Sequence, residues 1–240
     1  YHAPEDGKAG RANLPGARDI TTGSDAIVVA VIDTGLVSHG DIHGAGGRVL
    51  PGYDFVSDPF MANDGDGWDP DPSDPGDGVS RSESRFGCPA SDSSWHGTHV
   101  AGTIGALGDN GIGVAGINWR SRLLPVRVLG KCGGYESDVI EAMRWAAGLS
   151  VQGVPDNPHP AHVLNLSLGM SGPCKMLFQE AVNAVLAEGK AIVVAAGNDG
   201  GDVASSAPAN CDGVIAVAAV NEKGRLAQYS NSGFGVAIRD

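Results

Sequence analysis

Three short segments carry residues whose types and order could perform acyl transfer. The first is Val29-Ala30-Val31-Ile32-Asp33-Thr34-Gly35, an apolar run ending in a carboxylate and a glycine. The second is Trp95-His96-Gly97-Thr98-His99-Val100-Ala101-Gly102-Thr103, a histidine opening a helix of small residues. The third is Ile192-Val193-Val194-Ala195-Ala196-Gly197-Asn198-Asp199-Gly200, a strand running into an asparagine between glycines. A buried carboxylate can orient an imidazole, which takes a proton from a hydroxyl, and a fixed amide can then stabilise the oxyanion that forms. Singly, each segment carries little. An aspartate at a strand end is often structural, and a glycine-flanked asparagine is a common turn residue. His96 and His99 could share one helix face as zinc ligands, but the glutamate of a metalloprotease helix is missing. The order and context of all three together favour nucleophilic hydrolysis.

These residues need elements to place them. Apolar runs at 27–32, 123–128, 162–166, 191–195 and 214–220 read as buried strands. Between them, 137–149 carries a helical stripe of Val139, Ile140, Met143, Ala146 and Ala147. Residues 176–188 carry another, of Phe178, Val182, Val185 and Leu186, stopped by Gly189 with Lys190 beside it. Strands alternating with helices predict an α/β fold, a three-layer sandwich around a mostly parallel sheet. No repeat or linker divides the chain, so residues 1–240 read as a single domain. Ligands of such sheets bind beyond the carboxyl ends of the strands, where the pattern puts Asp33 and Asn198. His96, at a helix start, can face the same crevice. Residues 51–90 differ: a long loop region rich in Asp, Gly, Pro and Ser, which in a compact domain is usually functional or disordered.

Composition narrows the class. The 240 residues suffice for one large core, with 42% hydrophobic residues and 37 glycines. No apolar run approaches the roughly 18 residues of a membrane span. The net charge of −12, without a basic cluster, argues against a nucleic-acid partner. Gly105-Ala106-Leu107-Gly108 is glycine-rich, but no P-loop lysine follows. The sequence opens at Tyr1 with no Met and no apolar leader, as expected where a leader has been removed or lies outside it. Four cysteines in polar or glycine-rich stretches, none in a C-x-x-C pair, predict two disulfides and an oxidising, extracellular location. The count leaves three pairings open.

Asp33 in Val-Ile-Asp-Thr-Gly, His96 in His-Gly-Thr-His-Val-Ala-Gly-Thr and Asn198 in Ala-Ala-Gly-Asn resemble the aspartate, histidine and oxyanion motifs of the subtilase family. The matches run in order from about Asp33 to Tyr229. The resemblance implies a secreted serine endopeptidase that cleaves proteins or peptides through an Asp-His-Ser acyl-enzyme. Asp33 would orient His96, the general base and later acid, and Asn198 would donate to the oxyanion. Asn165-Leu166-Ser167-Leu168-Gly169 resembles the substrate-binding segment of the family, and Val126-Arg127-Val128-Leu129-Gly130 its edge-strand approach. Leu129, Gly130, Gly133 and Gly134 with Ser167, Leu168 and Gly169 would then flank an extended substrate. His99 is expected to pack against the sheet.

Nothing matches the family's Gly-Thr-Ser-Met-Ala nucleophile segment. The serines beyond Asn198 are Ser205, Ser206, Ser230 and Ser232, and none opens an apolar helix. The nucleophile is therefore expected outside this sequence, on a C-terminal remainder that stays bound to it, and the 240 residues alone are expected to be inactive. The competing reading is an inactive homologue or fragment that binds peptides without cleaving them.

Calcium, in two or more ions, is the cofactor expected. Leu107-Gly108-Asp109-Asn110-Gly111-Ile112-Gly113-Val114 resembles the calcium loop of the family, with Leu107, Ile112 and Val114 as ligands, Asp109 and Asn110 competing for one further position, and Asp41 as the joining carboxylate. A second site is expected in the acidic stretch, where eight aspartates and no Lys or Arg fall between Asp54 and Asp77. Asp64, Asp66, Asp69 and Asp71 are its candidates, since flexible loops of clustered oxygens suit calcium. In this topology Cys88 precedes the His96 helix and Cys132 follows the edge strand, which favours Cys88–Cys132. Cys174 and Cys211 follow strands whose loops wall the substrate pocket, which favours Cys174–Cys211.

Overall fold

The computed structural model describes residues 12–43 and 47–239, with Phe86, Ile238 and Arg239 as backbone only. The elements in chain order are α1 (Leu14–Arg18), β1 (Val28–Asp33), α2 (Gly40–His43), β2 (Tyr53–Asp54), α3 (Pro59–Ala62), α4 (His96–Gly105), β3 (Arg122–Arg127), α5 (Glu136–Ala147), β4 (Val163–Leu166), β5 (Met170–Ser171), α6 (Met176–Ala187), β6 (Ala191–Ala195), β7 (Ser206–Ala207), β8 (Ile215–Ala218) and β9 (Val236–Arg239). The chain forms two compact units. One is Ser24–Leu164; the other joins Tyr1–Gly23 to Asn165–Asp240.

In the Ser24–Leu164 unit the strands run β2-β3-β1, all parallel. The β1 and β3 pairing sets Val29 beside Leu123 and Asp33 beside Arg127. Side chains alternate across a strand. Val31 and Leu123 accordingly meet Ile42 of α2 and Ala101 of α4 in one buried cluster. Ala30 and Ile32 point to the other face, and α5 packs on β1 and β3. Beside α5 lies an aromatic cluster: Phe55 has its ring centroid 5.0 Å from Tyr53, 5.1 Å from Trp68 and 5.9 Å from Trp145.

The buried face of α4 is made of Gly97, Ala101, Gly102 and Gly105, so the helix can lie almost in contact with β1. A Cβ on Gly97 would sit 2.3 Å from the Gly35 carbonyl oxygen. That helix is short, and its exact placement depends on this run of small residues.

In the second unit β6, β8 and β9 are parallel neighbours, and α6 packs on β6 through a face that buries Phe178, Ala181, Val182 and Val185. A small antiparallel pair, β5 with β7, stands apart. The structure joins Cys88 to Cys132 in the first unit and Cys174 to Cys211 in the second.

Candidate active site

Asp33 is the last residue of β1 and is fully buried. Its backbone oxygen accepts from Val128 and Leu129, so the strand end is tied to the chain leaving β3. Oδ1 accepts from the Thr34 amide at 2.8 Å and lies 2.7 Å from Nδ1 of His96. His96 is the first residue of α4 and is half exposed. The carboxylate thus fixes the tautomer: Nδ1 carries the proton toward Asp33, and Nε2 is the basic atom.

The environment tunes this base. The hydrogen bond to Asp33 raises the His96 pKa above its ordinary value, partial burial opposes the rise, and the charges of Asp33 and Asp77 add to it. Two supports hold the dyad. Trp95, immediately before His96, sits in the left-handed region at φ 53°, which turns the chain into α4. The Thr34 hydroxyl donates to Asp74 Oδ2 at 2.8 Å and accepts from the Gly97 amide at 2.9 Å, so one side chain joins β1, the acidic stretch and the first turn of α4. Neither Thr34 nor Asp74 stood out in the sequence, because the contact spans 40 residues.

His99, expected against the sheet, is exposed instead. The buried stripe of α4 runs through residues 97, 101, 102 and 105, and position 99 falls on the opposite side. Among the described residues no three His, Cys, Asp or Glu side chains gather to hold a metal.

The segment after β3 forms a tight turn. Gly130 and Gly133 exchange backbone hydrogen bonds of 2.8 and 3.1 Å, with Cys132 at φ 67° between them. A Cβ on Gly134 would lie 2.1 Å from the Val128 oxygen, and one on Gly130 2.0 Å from the Met61 oxygen of α3. Glycine is thus required at both places. Leu129 is half-buried beside them. In the second unit, Ser167 and Leu168 are half-buried, Gly169 is exposed, and Asn165 donates to the Ser167 hydroxyl at 3.0 Å. Asn198 is exposed on the loop after β6. The amide of its neighbour Asp199 donates to Asn231 Oδ1 at 3.0 Å. Of the serines beyond Asn198, Ser206 and Ser230 are buried, and the Ser230 hydroxyl donates to the Asn231 carbonyl.

The two acidic regions behave differently. Asp41 is only 2% exposed, and the 107–114 loop closes over it. Its Oδ1 accepts from the Asn110 amide and its Oδ2 from the Val114 backbone, both at 2.8 Å. A Cβ on Gly113 would lie 2.3 Å from Asp41 Oδ2, so the loop wraps the carboxylate as closely as glycine allows. Asn110, not the exposed Asp109, is the side chain that meets Asp41. Leu107, Asp109, Asn110, Ile112 and Val114 line one shallow pocket. Asn110 turns its Nδ2 to Asp41 while its Oδ1 accepts from the Ile112 amide; the buried carboxylate and the carbonyls of the loop are oxygens of the hard kind that calcium takes.

The acidic stretch does not form the cluster expected of it. Asp64 Oδ2 lies 2.5 Å from Nη1 of Arg127, a guanidinium 1% exposed that also pairs with Asp54 and donates to the Ala62 carbonyl. Asp66 donates its amide to Asp64, Asp71 its amide to Asp69, and Ser73 caps onto Asp71. A cation thus already pairs with Asp54 and Asp64 of this stretch, and it is a side chain from β3, far along the sequence. Arg127 was read only as part of the edge strand, and its pattern gave no sign of a buried charge.

The comparison with known families settles the lineage. The subtilase family pattern, peptidase S8, matches residues 24–238. The chain belongs to the subtilase family. This subtilase is 50% identical over 226 residues to an extracellular protease of Xanthomonas campestris pv. campestris, covering 94% of its own length and 38% of that protein. It is 44% identical over 222 residues to an extracellular basic protease of Dichelobacter nodosus, covering 88% of itself and 35% of the relative. The chain thus spans well under half the length of these curated relatives. A solved protease from Pseudoalteromonas arctica is similar in structure, with a TM-score of 0.92 and 47% identity over 98% of this chain and 68% of that one. The fold is accordingly the α/β fold of subtilisin-like proteases, with its main strands parallel. No helix among the described residues is long and apolar enough to cross a membrane.

Proposed function

We propose that this subtilase is part of a secreted serine endopeptidase. His96 acts as general base, Asp33 orients it, and Asn198 donates to the oxyanion. The observation that carries this reading is the 2.7 Å bond between the buried Asp33 carboxylate and His96 Nδ1 at the carboxyl end of a parallel strand. The nucleophilic serine is supplied by chain outside these 240 residues. In support, the relatives are much longer, and none of the serines beyond Asn198 lies in the family's nucleophile segment. In the reaction, Nε2 takes the hydroxyl proton as the serine oxygen attacks the peptide carbonyl. The imidazolium then gives that proton to the leaving amine, and water completes the cycle by the same route. The backbone of residues 129–134 in one unit, and of Ser167, Leu168 and Gly169 in the other, is assigned to pairing with substrate as the family resemblance implies. Asp41, Asn110 and carbonyls of the 107–114 loop would hold one calcium ion, whose charge would fix the loop. The names of the relatives support an extracellular setting.

The test is turnover of a chromogenic peptide by the whole enzyme. Asp33→Asn is expected to lower kcat by about four orders of magnitude, as in other triads. Asn198→Ala is expected to lower it on the order of 10²–10³, the range known for loss of this donor in a subtilisin. Undiminished turnover in His96→Ala would contradict the reading and leave a peptide-binding homologue.

A further inference from the structure

Asn198 is exposed, so the backbone that carries it sets the direction of its amide. That backbone is held by a second loop in the same unit. Asn231, only 2% exposed, accepts through Oδ1 from the amides of Asp199 at 3.0 Å and Gly201 at 2.9 Å. Its own backbone amide donates to the Gly197 carbonyl at 2.9 Å. One residue therefore binds the position before Asn198, the position after it, and a third two residues further on. The Gly200 amide donates to the Tyr229 carbonyl at 2.7 Å, and the Ser232 amide to the Gly201 carbonyl at 3.0 Å. These five neighbouring bonds tie the 197–201 turn to the 229–232 segment.

The packing is equally close. Gly197 has φ +105°, and a Cβ there would lie 2.3 Å from Asn231 Nδ2 and 2.9 Å from the Ser206 hydroxyl. The side chain of Asn231 thus fills the space a larger residue at 197 would need, and the two positions specify each other. Asn suits this task because its amide oxygen has two lone pairs for two N–H donors. A shorter or apolar residue would leave both amides of a tight turn without their acceptor.

We infer that Asn231 is a positioning residue for oxyanion stabilisation, holding the turn that aims the Asn198 amide. This rests on the reading of Asn198 as the oxyanion donor. A preorganised donor stabilises charge because nothing has to move as the charge develops, and misplacement of about 1 Å can cost 100-fold in rate. The tetrahedral intermediate carries the developing charge while the bound peptide does not. Loosening the turn should therefore lower kcat and spare KM.

The test is a double-mutant cycle in the whole enzyme, with kcat, KM and melting temperature measured for Asn231→Ala, Asn198→Ala and the pair. Asn231→Ala is expected to lower kcat between about 10- and 100-fold, with KM within about twofold. Added to Asn198→Ala, it is expected to cost nothing further in kcat. Should the alanine variant fail to fold, Asn231→Ser takes its place; its hydroxyl keeps a polar group in the buried site but cannot reach both amides. An unchanged kcat, a change confined to KM, or the same fold-loss with and without Asn198 would overturn the inference. Should Asn198→Ala itself leave kcat unchanged, the oxyanion role of Asn198 fails first, and that result is read from the single variant alone.

Discussion

At the scale of single residues, the site is governed by where charge sits around His96. Its pKa is raised first by the hydrogen bond to Asp33 and further by nearby negative charge, including Asp77. Only neutral imidazole serves as a base, so activity falls as the pH drops through that raised pKa. Removing a negative charge disfavours the imidazolium and lowers the pKa. Asp77→Asn is therefore expected to move the acidic limb of the kcat/KM profile to lower pH. The substitution keeps an acceptor for Ser94, which donates its amide and hydroxyl to Asp77 at 2.6 Å each. A limb that stays put, or moves upward, would refute this. A second prediction concerns Thr34. Replacing it by valine keeps the shape but leaves the Gly97 amide and the Asp74 carboxylate without their partner in a buried place. The expected cost is about 1–3 kcal/mol in denaturant unfolding, with a lower kcat as α4 loses its fixed start. Loss of stability with full kcat would show that Thr34 holds the fold and not the base.

At the scale of elements, α3 carries the clearest case of a small device supporting the segment proposed to meet substrate. Asp58 caps it by accepting from the amides of Phe60 and Met61 at 2.8 and 3.1 Å, and the Met61 carbonyl then accepts from Lys131 at 2.9 Å. Asp58→Ala is expected to cost about 1 kcal/mol of stability and to raise KM for peptides, because the 129–134 turn leans on α3. An unchanged KM would separate the two. Elements of this size explain what the sequence could and could not tell. β1, β3, β4, β6 and β8 fall within about two residues of the apolar runs, since strands buried on both faces read as continuous hydrophobic stretches. α5 and α6 were legible because twelve residues show three helical turns. α1, α2 and α3 have four or five residues, one turn each, and no period to detect. β2 has two residues and is hidden in the acidic stretch. The pairing of Asp54 and Asp64 with Arg127 was not legible in that stretch, because the guanidinium arrives from another strand. Asp33, His96 and Asn198 were singled out by local motif context, and the structure brings the first two within 2.7 Å. Asn231 was not, being an asparagine between two serines whose importance lies wholly in the amides it meets across the fold.

At the scale of the whole molecule, loop order must come from cross-links as much as from core. Each compact unit contains one disulfide. Cys174–Cys211 closes a separation of 37 residues, and replacing both cysteines by serine is expected to cost about 2–4 kcal/mol in unfolding measurements. A cost near zero would mean that the loops around β5 and β7 are ordered without it. The proposed calcium adds a second kind of cross-link, because an ion bound only by the folded state stabilises it by mass action. A chelator is expected to lower the melting temperature of the enzyme, and Asp41→Asn to remove most of that dependence. A chelator effect undiminished in Asp41→Asn would place the ion elsewhere.

The central claim is that His96, oriented by Asp33, activates a serine that lies outside these residues. The most direct measurement is mass analysis of the denatured, reduced whole protein after treatment with a serine-directed fluorophosphonate, alongside the His96→Ala variant. The account predicts one adduct on a serine beyond position 240, formed orders of magnitude more slowly when His96 is alanine. No adduct, an adduct on a serine within these 240 residues, or labelling indifferent to His96 would contradict it.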